Sequence, residues 1–255
     1  MRWEIKKVGK TPRLHNPIFI EGLPGIGNVG KIALDFIVDE LKAKKLYSFY
    51  STKFPHSVFV NEDNLVEMPR LELYYKKGRN DKQDFLFLVG DIQPIDEESC
   101  HIFCMELITL LKKFKCKEAI TTGGIGLQHI PEHPRIYCTG NDKKLVQSYI
   151  TQGNMQSSIY GIVGPIMGVS GLLIGLAGRE DLPGVSILAE TFAHPLYVGV
   201  KGASEILRVL DTRFSLKLNI KRLTDEISKL EEELRKKVDF GKMDATAKEE
   251  VTYIG

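Results

Sequence analysis

Ile18-Phe19-Ile20-Glu21-Gly22-Leu23-Pro24-Gly25-Ile26-Gly27-Asn28-Val29-Gly30 is the stretch whose reading decides the fold. Ile18-Phe19-Ile20 has the length and β-branching of a buried strand. It ends at Glu21 and gives way to four glycines, Gly22, Gly25, Gly27 and Gly30, before a helical pattern begins. Glycine tolerates positive φ and lets other groups approach the backbone closely. Strand, glycine turn and helix in that order open an α/β unit. The free N–H groups at the start of such a helix can hold an anion or cap onto neighbouring chain. The choice between those two readings separates an enzyme from a scaffold.

Outward from this stretch, Asn28 is a residue type that caps helices. Val29, Ile32, Ala33, Phe36, Ile37 and Leu41 then repeat at helical spacing, which predicts an amphipathic helix over 28–43. Upstream, Trp3 to Val8 reads as an edge strand. Downstream, Leu46 to Ser51 and Ser57 to Val60 read as strands. Leu71, Leu73 and Tyr75 alternate with polar residues, the pattern of a half-exposed strand near a sheet edge. Phe85 to Val89 is a continuous apolar run, hence a central strand, and it stops at Gly90-Asp91. A helix over Glu97 to Lys115 follows, then a strand at Glu118 to Thr122 halted by Gly123-Gly124-Ile125-Gly126. Further elements are a strand at Arg135 to Thr139, a helix at 142–150, a strand at Val185 to Ala189 and a helix at Lys201 to Arg213. Strands and helices that alternate in this way predict an α/β fold with a mixed or mainly parallel sheet and helices on both faces.

The chain has 255 residues and a formal net charge of +2, far from the strongly basic balance of a dedicated nucleic-acid binder. Cys100, Cys104, Cys116 and Cys138 are too few and too scattered for a secreted disulfide framework. Met1-Arg2-Trp3-Glu4 does not open a signal peptide, so a cytoplasmic location is expected. Ile159 to Gly178 is uncharged over twenty residues, long enough to span a bilayer. Gly164-Pro165 divides it into a strand-like half, Ile159 to Val163, and a helix-like half after Met167, as a buried strand and helix of an α/β core would look. The expectation is therefore that no part of the chain enters a membrane.

Three parts are expected: an α/β core over 1–214, an amphipathic or coiled-coil helix over 215–238 and a flexible tail over 239–255. Leu216, Ile220, Leu223, Ile227, Leu230 and Leu234 follow spacings of four and three, an a/d seam. That seam suits a coiled coil and a helix lying on its own domain equally. The tail is polar until Val251, Tyr253 and Ile254, which precede Gly255. Apolar groups at the tip of a solvated tail suggest a docking peptide.

For chemistry, Gly25-Ile26-Gly27-Asn28-Val29-Gly30 matches G-x-G-x-x-G between a strand and a helix. A dinucleotide site also needs an acid about twenty residues on, and Tyr47 to Phe54 has no carboxylate. A structural turn is the better reading. Glu21, Asp91 and Glu190 stand at the ends of three predicted strands, where open α/β sheets bind ligands. With His194 and the Gly123, Gly124 and Gly126 loop they form a candidate small-molecule site. Strand-end acids also commonly cap the following helix. Cys100, His101 and Cys104 lack the spacing of a structural zinc site, and Pro131 and Pro134 break the helix that His129 and His133 would need to share a face. No metal and no cofactor is expected.

Gly22-Leu23-Pro24-Gly25-Ile26-Gly27-Asn28-Val29-Gly30, Gly90-Asp91-Ile92-Gln93, Thr122-Gly123-Gly124-Ile125-Gly126, the run Gly164 to Leu173 and Ala189-Glu190-Thr191 occur in one order over about residues 15–215. In that combination the chain resembles the archaeal proteasome assembly chaperone family. The resemblance implies a phosphorylase/hydrolase-like α/β/α fold without established catalysis, and homo-oligomers that bind proteasome α subunits. It also implies a C-terminal hydrophobic-Tyr-X tail that inserts between those subunits, which here assigns partner binding to Val251, Tyr253, Ile254 and Gly255. In this chain Tyr253 is third from the end, with Thr252 before it. One extra residue displaces the terminal carboxylate by roughly 3.5 Å. The alternative is a small-molecule or nucleotide-binding enzyme of the same fold that uses Glu21, Asp91, Glu190 and His194.

Overall fold

All five residues of Ile18–Gly22 are buried, because this strand has neighbours on both edges and helices over both faces. The computed structural model of the chain describes residues 3–78, 83–94, 96–156, 158–159, 161, 164–223 and 225. In chain order the elements are β1 (Glu4–Lys7), β2 (Ile18–Gly22), α1 (Val29–Glu40), β3 (Lys44–Tyr50), β4 (Phe59–Val60), β5 (Val66–Glu67), β6 (Leu71–Lys76) and β7 (Phe85–Gly90). They continue with α2 (Glu97–Lys113), β8 (Glu118–Leu127), β9 (Ile136–Gly140), α3 (Lys143–Gly153), α4 (Gly168–Arg179), β10 (Gly184–Phe192) and α5 (Val200–Phe214). A short 3-10 turn, Ile26–Asn28, joins β2 to α1.

The main sheet has eight strands in the order β1-β3-β6-β7-β2-β8-β10-β9. Its centre is parallel: β2 pairs with β7 on one side and β8 on the other, and β8 pairs with β10. The flanks, β6, β3 and β1 on one side and β9 on the other, are antiparallel. Phe19 pairs with Leu86 and Ala119, and all three point into a core shared with α2 and α4. Phe103, Cys104, Leu107, Ile108 and Leu111 form the buried stripe of α2, at about 1.5–3 kcal/mol for each fully buried large apolar side chain. Helix α1 packs on α5, and α5 on α3, over the opposite face. The expected α/β class, with a mixed and mainly parallel sheet between two helical layers, is what the chain adopts.

Individual elements depart from expectation for physical reasons. Strand β6 is an interior strand, not a strand near an edge: its half-polar pattern places Glu72 in the sheet, where Lys45 and the Tyr74 hydroxyl engage its carboxylate. Strand β8 does not stop at Thr122. It runs on through Gly123, Gly124 and Gly126 because β10 supplies a partner up to Phe192. Asn28 does occupy the N-cap of α1, but in a left-handed conformation and without a side-chain cap bond. The strand expected at Ser57 to Val60 shrinks to β4, which pairs only with β5 in a separate hairpin.

Helix α4 covers only the second half of the uncharged run, Gly168–Arg179. No helix among the described residues is long and apolar enough to cross a membrane. The strand-like reading of Ile159 to Val163 falls largely outside the described residues. The chain separates into two compact units, Met1–Leu218 and Asn219–Gly255. Of the second, residues 220–223 are helical. The expected seam beyond them and the tail at Val251, Tyr253, Ile254 and Gly255 lie outside the described residues.

Candidate functional site

The glycine stretches predicted to matter converge at the carboxyl ends of the parallel strands, the usual ligand position of an open α/β sheet. There they line a cavity of about 570 Å³ together with Gln93, Pro94, Thr122, Ser170 and the segment from Gly164 to Gly168. The eighteen described residues around it include none that carries a charge. A phosphate or a nucleotide would find no cationic side chain there.

The glycines themselves are mostly contact points between elements. A Cβ on Gly22 would lie 2.3 Å from the Gly30 carbonyl oxygen, and one on Gly30 would lie 2.5 Å from that of Thr122. Helix α1 therefore rests directly on β2 and β8. A Cβ on Gly124 would lie 2.3 Å from the Ile26 carbonyl oxygen, which brings the 3-10 turn down onto β8. Gly27 has φ +62 and sits against the Thr191 side chain, so the turn needs glycine for both conformation and space. Gly25 differs: a side chain there would meet nothing within 4 Å.

Each of the four candidate small-molecule residues has its own environment. Glu21 is fully buried at the end of β2. The Leu23 backbone N–H donates to its Oε1 at 2.8 Å and the Ser170 hydroxyl to its Oε2 at 3.0 Å. Burial pushes its pKa up to about 7, against the opposing pull of those hydrogen bonds. Ser170 lies in the first turn of α4, and its carbonyl accepts from Thr121 Oγ1 at 2.8 Å. The Glu21 carboxyl group thus fastens α4 to the sheet.

Asp91 lies on the other side of the same sheet end, held by Lys31 of α1 at 2.9 Å. Arg70 binds it through Nε at 3.0 Å, Nη2 at 2.9 Å and its backbone N–H at 3.0 Å. Burial works to raise its pKa, but the Arg70 and Lys31 hydrogen bonds outweigh it and hold the carboxyl well below the usual range. Glu190 accepts from Arg135 Nε at 2.8 Å and from the Tyr137 hydroxyl at 3.1 Å. There too the partners outweigh burial and lower the pKa. His194 stacks on Phe192 with ring centroids 5.5 Å apart, and its Nδ1 accepts from the Leu196 N–H at 3.3 Å. The three acids are brought to the same end of the sheet but not to one another. Each is occupied in joining two elements.

Gln93, at the end of Gly90-Asp91-Ile92-Gln93, has a role that its sequence position does not reveal. Its Oε1 accepts from the Val169 N–H at 2.9 Å, and its Nε2 donates to the Pro24 carbonyl. One side chain thereby links the β2–α1 turn to the first turn of α4 across the cavity mouth. Only its place after Gly90-Asp91 marks it in the sequence.

Comparisons with known proteins agree with this architecture. The model of the PAC2 family matches residues 19–238. The crystal structure of Pyrococcus furiosus PbaB, described as an archaeal proteasome activator, is 30% identical with a TM-score of 0.82, covering 92% of this chain and 98% of that one. The structure of Pyrococcus furiosus PbaA, described as an archaeal homolog of proteasome-assembly chaperone, is 25% identical with a TM-score of 0.77, covering 94% and 93%. An uncharacterized protein of Methanocaldococcus jannaschii is 25% identical over 260 residues, 98% of this chain and 96% of its own length.

Proposed function

The chain belongs to the PAC2 family, and from that premise we propose that it is a non-enzymatic, proteasome-associated assembly factor. In this reading it acts in the cytoplasm as a homo-oligomer and binds proteasome α subunits through Val251, Tyr253, Ile254 and Gly255. The likeness to PbaA and PbaB supports the partner class. The observation that carries the non-enzymatic part is the state of the sheet's carboxyl end. Glu21, Asp91 and Glu190 are consumed by Ser170, by Lys31 with Arg70 and by Arg135, and the cavity between the elements is lined by uncharged groups. Several weak tails on one oligomer reinforce one another, because each further contact is intramolecular once the first has formed.

Deletion of Val251 to Gly255 tests this. The expected result is loss of co-purification with α subunits while the mass of the oligomer stays the same. Undiminished co-purification overturns the docking role of the tail.

A further inference from the structure

Fourteen large apolar side chains are exposed among the described residues, and eleven of them leave the fold at one end. The register shows which end. Leu71 pairs with Gly90, so the segment between β3 and β6 emerges level with the carboxyl end of β7. The 3-10 turn after β2, the loop after β8, the loop after β10 and the start of α4 all lie at that same end.

Two parts make up this apolar end. The first is the β4–β5 hairpin, whose turn is fixed by Asn61. Its Oδ1 accepts from the Asp63 and Leu65 N–H groups at 3.0 and 2.9 Å, and its Nδ2 donates to Glu67 at 2.7 Å. Yet Val58, Phe59, Val60, Leu65, Val66 and Met68 are all about half exposed or more, Val66 at 71%. A two-stranded ribbon this short is marginal in water without a surface to cover it. The second part is the cavity with its rim. Ile26 and Met167 line it, Met167 being 77% exposed, while Ile130, Leu196 and Val198 stand exposed on neighbouring loops.

We propose that this end of the molecule is a self-complementary interface between two copies of the chain, in which the apolar hairpin of each copy covers the uncharged glycine cavity of the other. A two-fold contact requires one surface to carry both halves of the match, so that residue i meets j and j meets i. A preorganised apolar projection and an uncharged depression on one end of one molecule meet that requirement. The area fits as well. The eleven side chains together expose on the order of 1,000 Å², comparable with the about 800 Å² per partner of a standard interface. Glu62 and Asp63, at the hairpin tip, remain free to face water at the rim. The inference rests on the self-association part of the reading above and not on the tail.

Light scattering and native mass measurement on the full chain test it, with Leu65→Asp/Val66→Asp on the hairpin and Met167→Asp on the cavity rim. These positions are exposed, so the variants should keep the wild-type circular dichroism. Each is expected to halve the mass of the assembly at micromolar concentration. As a second readout, Leu65→Cys and Met167→Cys copies mixed under mild oxidation should form a disulfide between copies that neither forms alone. Wild-type mass in all variants, a wild-type chain that runs as a monomer, or a cross-link formed by Leu65→Cys alone overturns the proposal. A tail deletion that loses α subunits while the hairpin variants keep full mass overturns this interface only. Halved masses with undiminished α-subunit capture by the tail deletion overturn the docking tail only.

Discussion

At the scale of single residues, Glu21 is the group whose protonation the fold controls. The unfolded carboxyl titrates near its ordinary value of 4.5, whereas burial raises the folded value to about 7. Below 4.5 both states hold the proton and the group is neutral to stability. Between 4.5 and 7 only the folded state holds it, so stability falls as pH rises, and above 7 the loss is complete. The loss amounts to about 3 kcal/mol, or a fall of roughly 6–12 °C in Tm. Glu21→Gln keeps the acceptor for the Leu23 N–H, turns the second contact round so that its amide donates to the Ser170 hydroxyl, and cannot ionise. Its melting temperature is expected to lose this slope between pH 4.5 and 7.5, and a profile parallel to wild type would show that another group titrates. Asp91 behaves in the opposite sense, since its pKa is lowered: its contribution is present at neutral pH and is lost on acidification. The positions of these acids are legible in the sequence because they end apolar runs. Their partners are not, since Ser170, Lys31 and Arg135 lie 149, 60 and 55 residues away along the chain.

At the scale of elements, the glycines distinguish packing from ligand binding. Gly30→Ala places a methyl group 2.5 Å from a backbone oxygen of β8 that cannot move without breaking the sheet. Even after the roughly 1 kcal/mol that alanine gains over glycine in a helix, the cost is expected to be about 2–4 kcal/mol. Gly25→Ala meets open space in an extended backbone and should stay within about 0.5 kcal/mol of wild type. Chemical denaturation of both variants measures the contrast, and equal costs would sink the packing account of this turn. Periodicity predicted α1, α2 and β7 well because each buries a regular stripe or a whole strand. It failed at β6, where the polar partner that satisfies Glu72 makes an interior strand look like an edge, and at β8, where glycine reads as a stop but serves as a surface for another backbone.

At the scale of the molecule, an uncharged cavity predicts a flat response to phosphate-bearing ligands. A nucleotide present at a hundred times its Kd would stabilise the fold by about 2.7 kcal/mol, a rise of several degrees in Tm for a domain of this size. Thermal melting with ATP, GTP and inorganic phosphate is expected to move by less than about 1 °C. A reproducible rise would return the candidate small-molecule site to consideration. The architecture was legible from the alternation of elements. The exposed hairpin was not, because its apolar residues look like those of any strand and only the fold shows them exposed among the described residues.

The central position of Ile18–Gly22 also has a consequence for how the protein is made. Its two neighbours are Phe85–Gly90 and Glu118–Leu127, so the strand is synthesised about a hundred residues before its second edge exists. At typical elongation rates of about 5–20 residues per second, that is a wait of roughly 5–20 s at the ribosome. During that interval the emerging chain carries an apolar strand with an open edge, which other nascent chains can pair with. The first half of the sheet can be laid down early, but the sheet closes only when β10, its last strand in the chain, has left the exit tunnel.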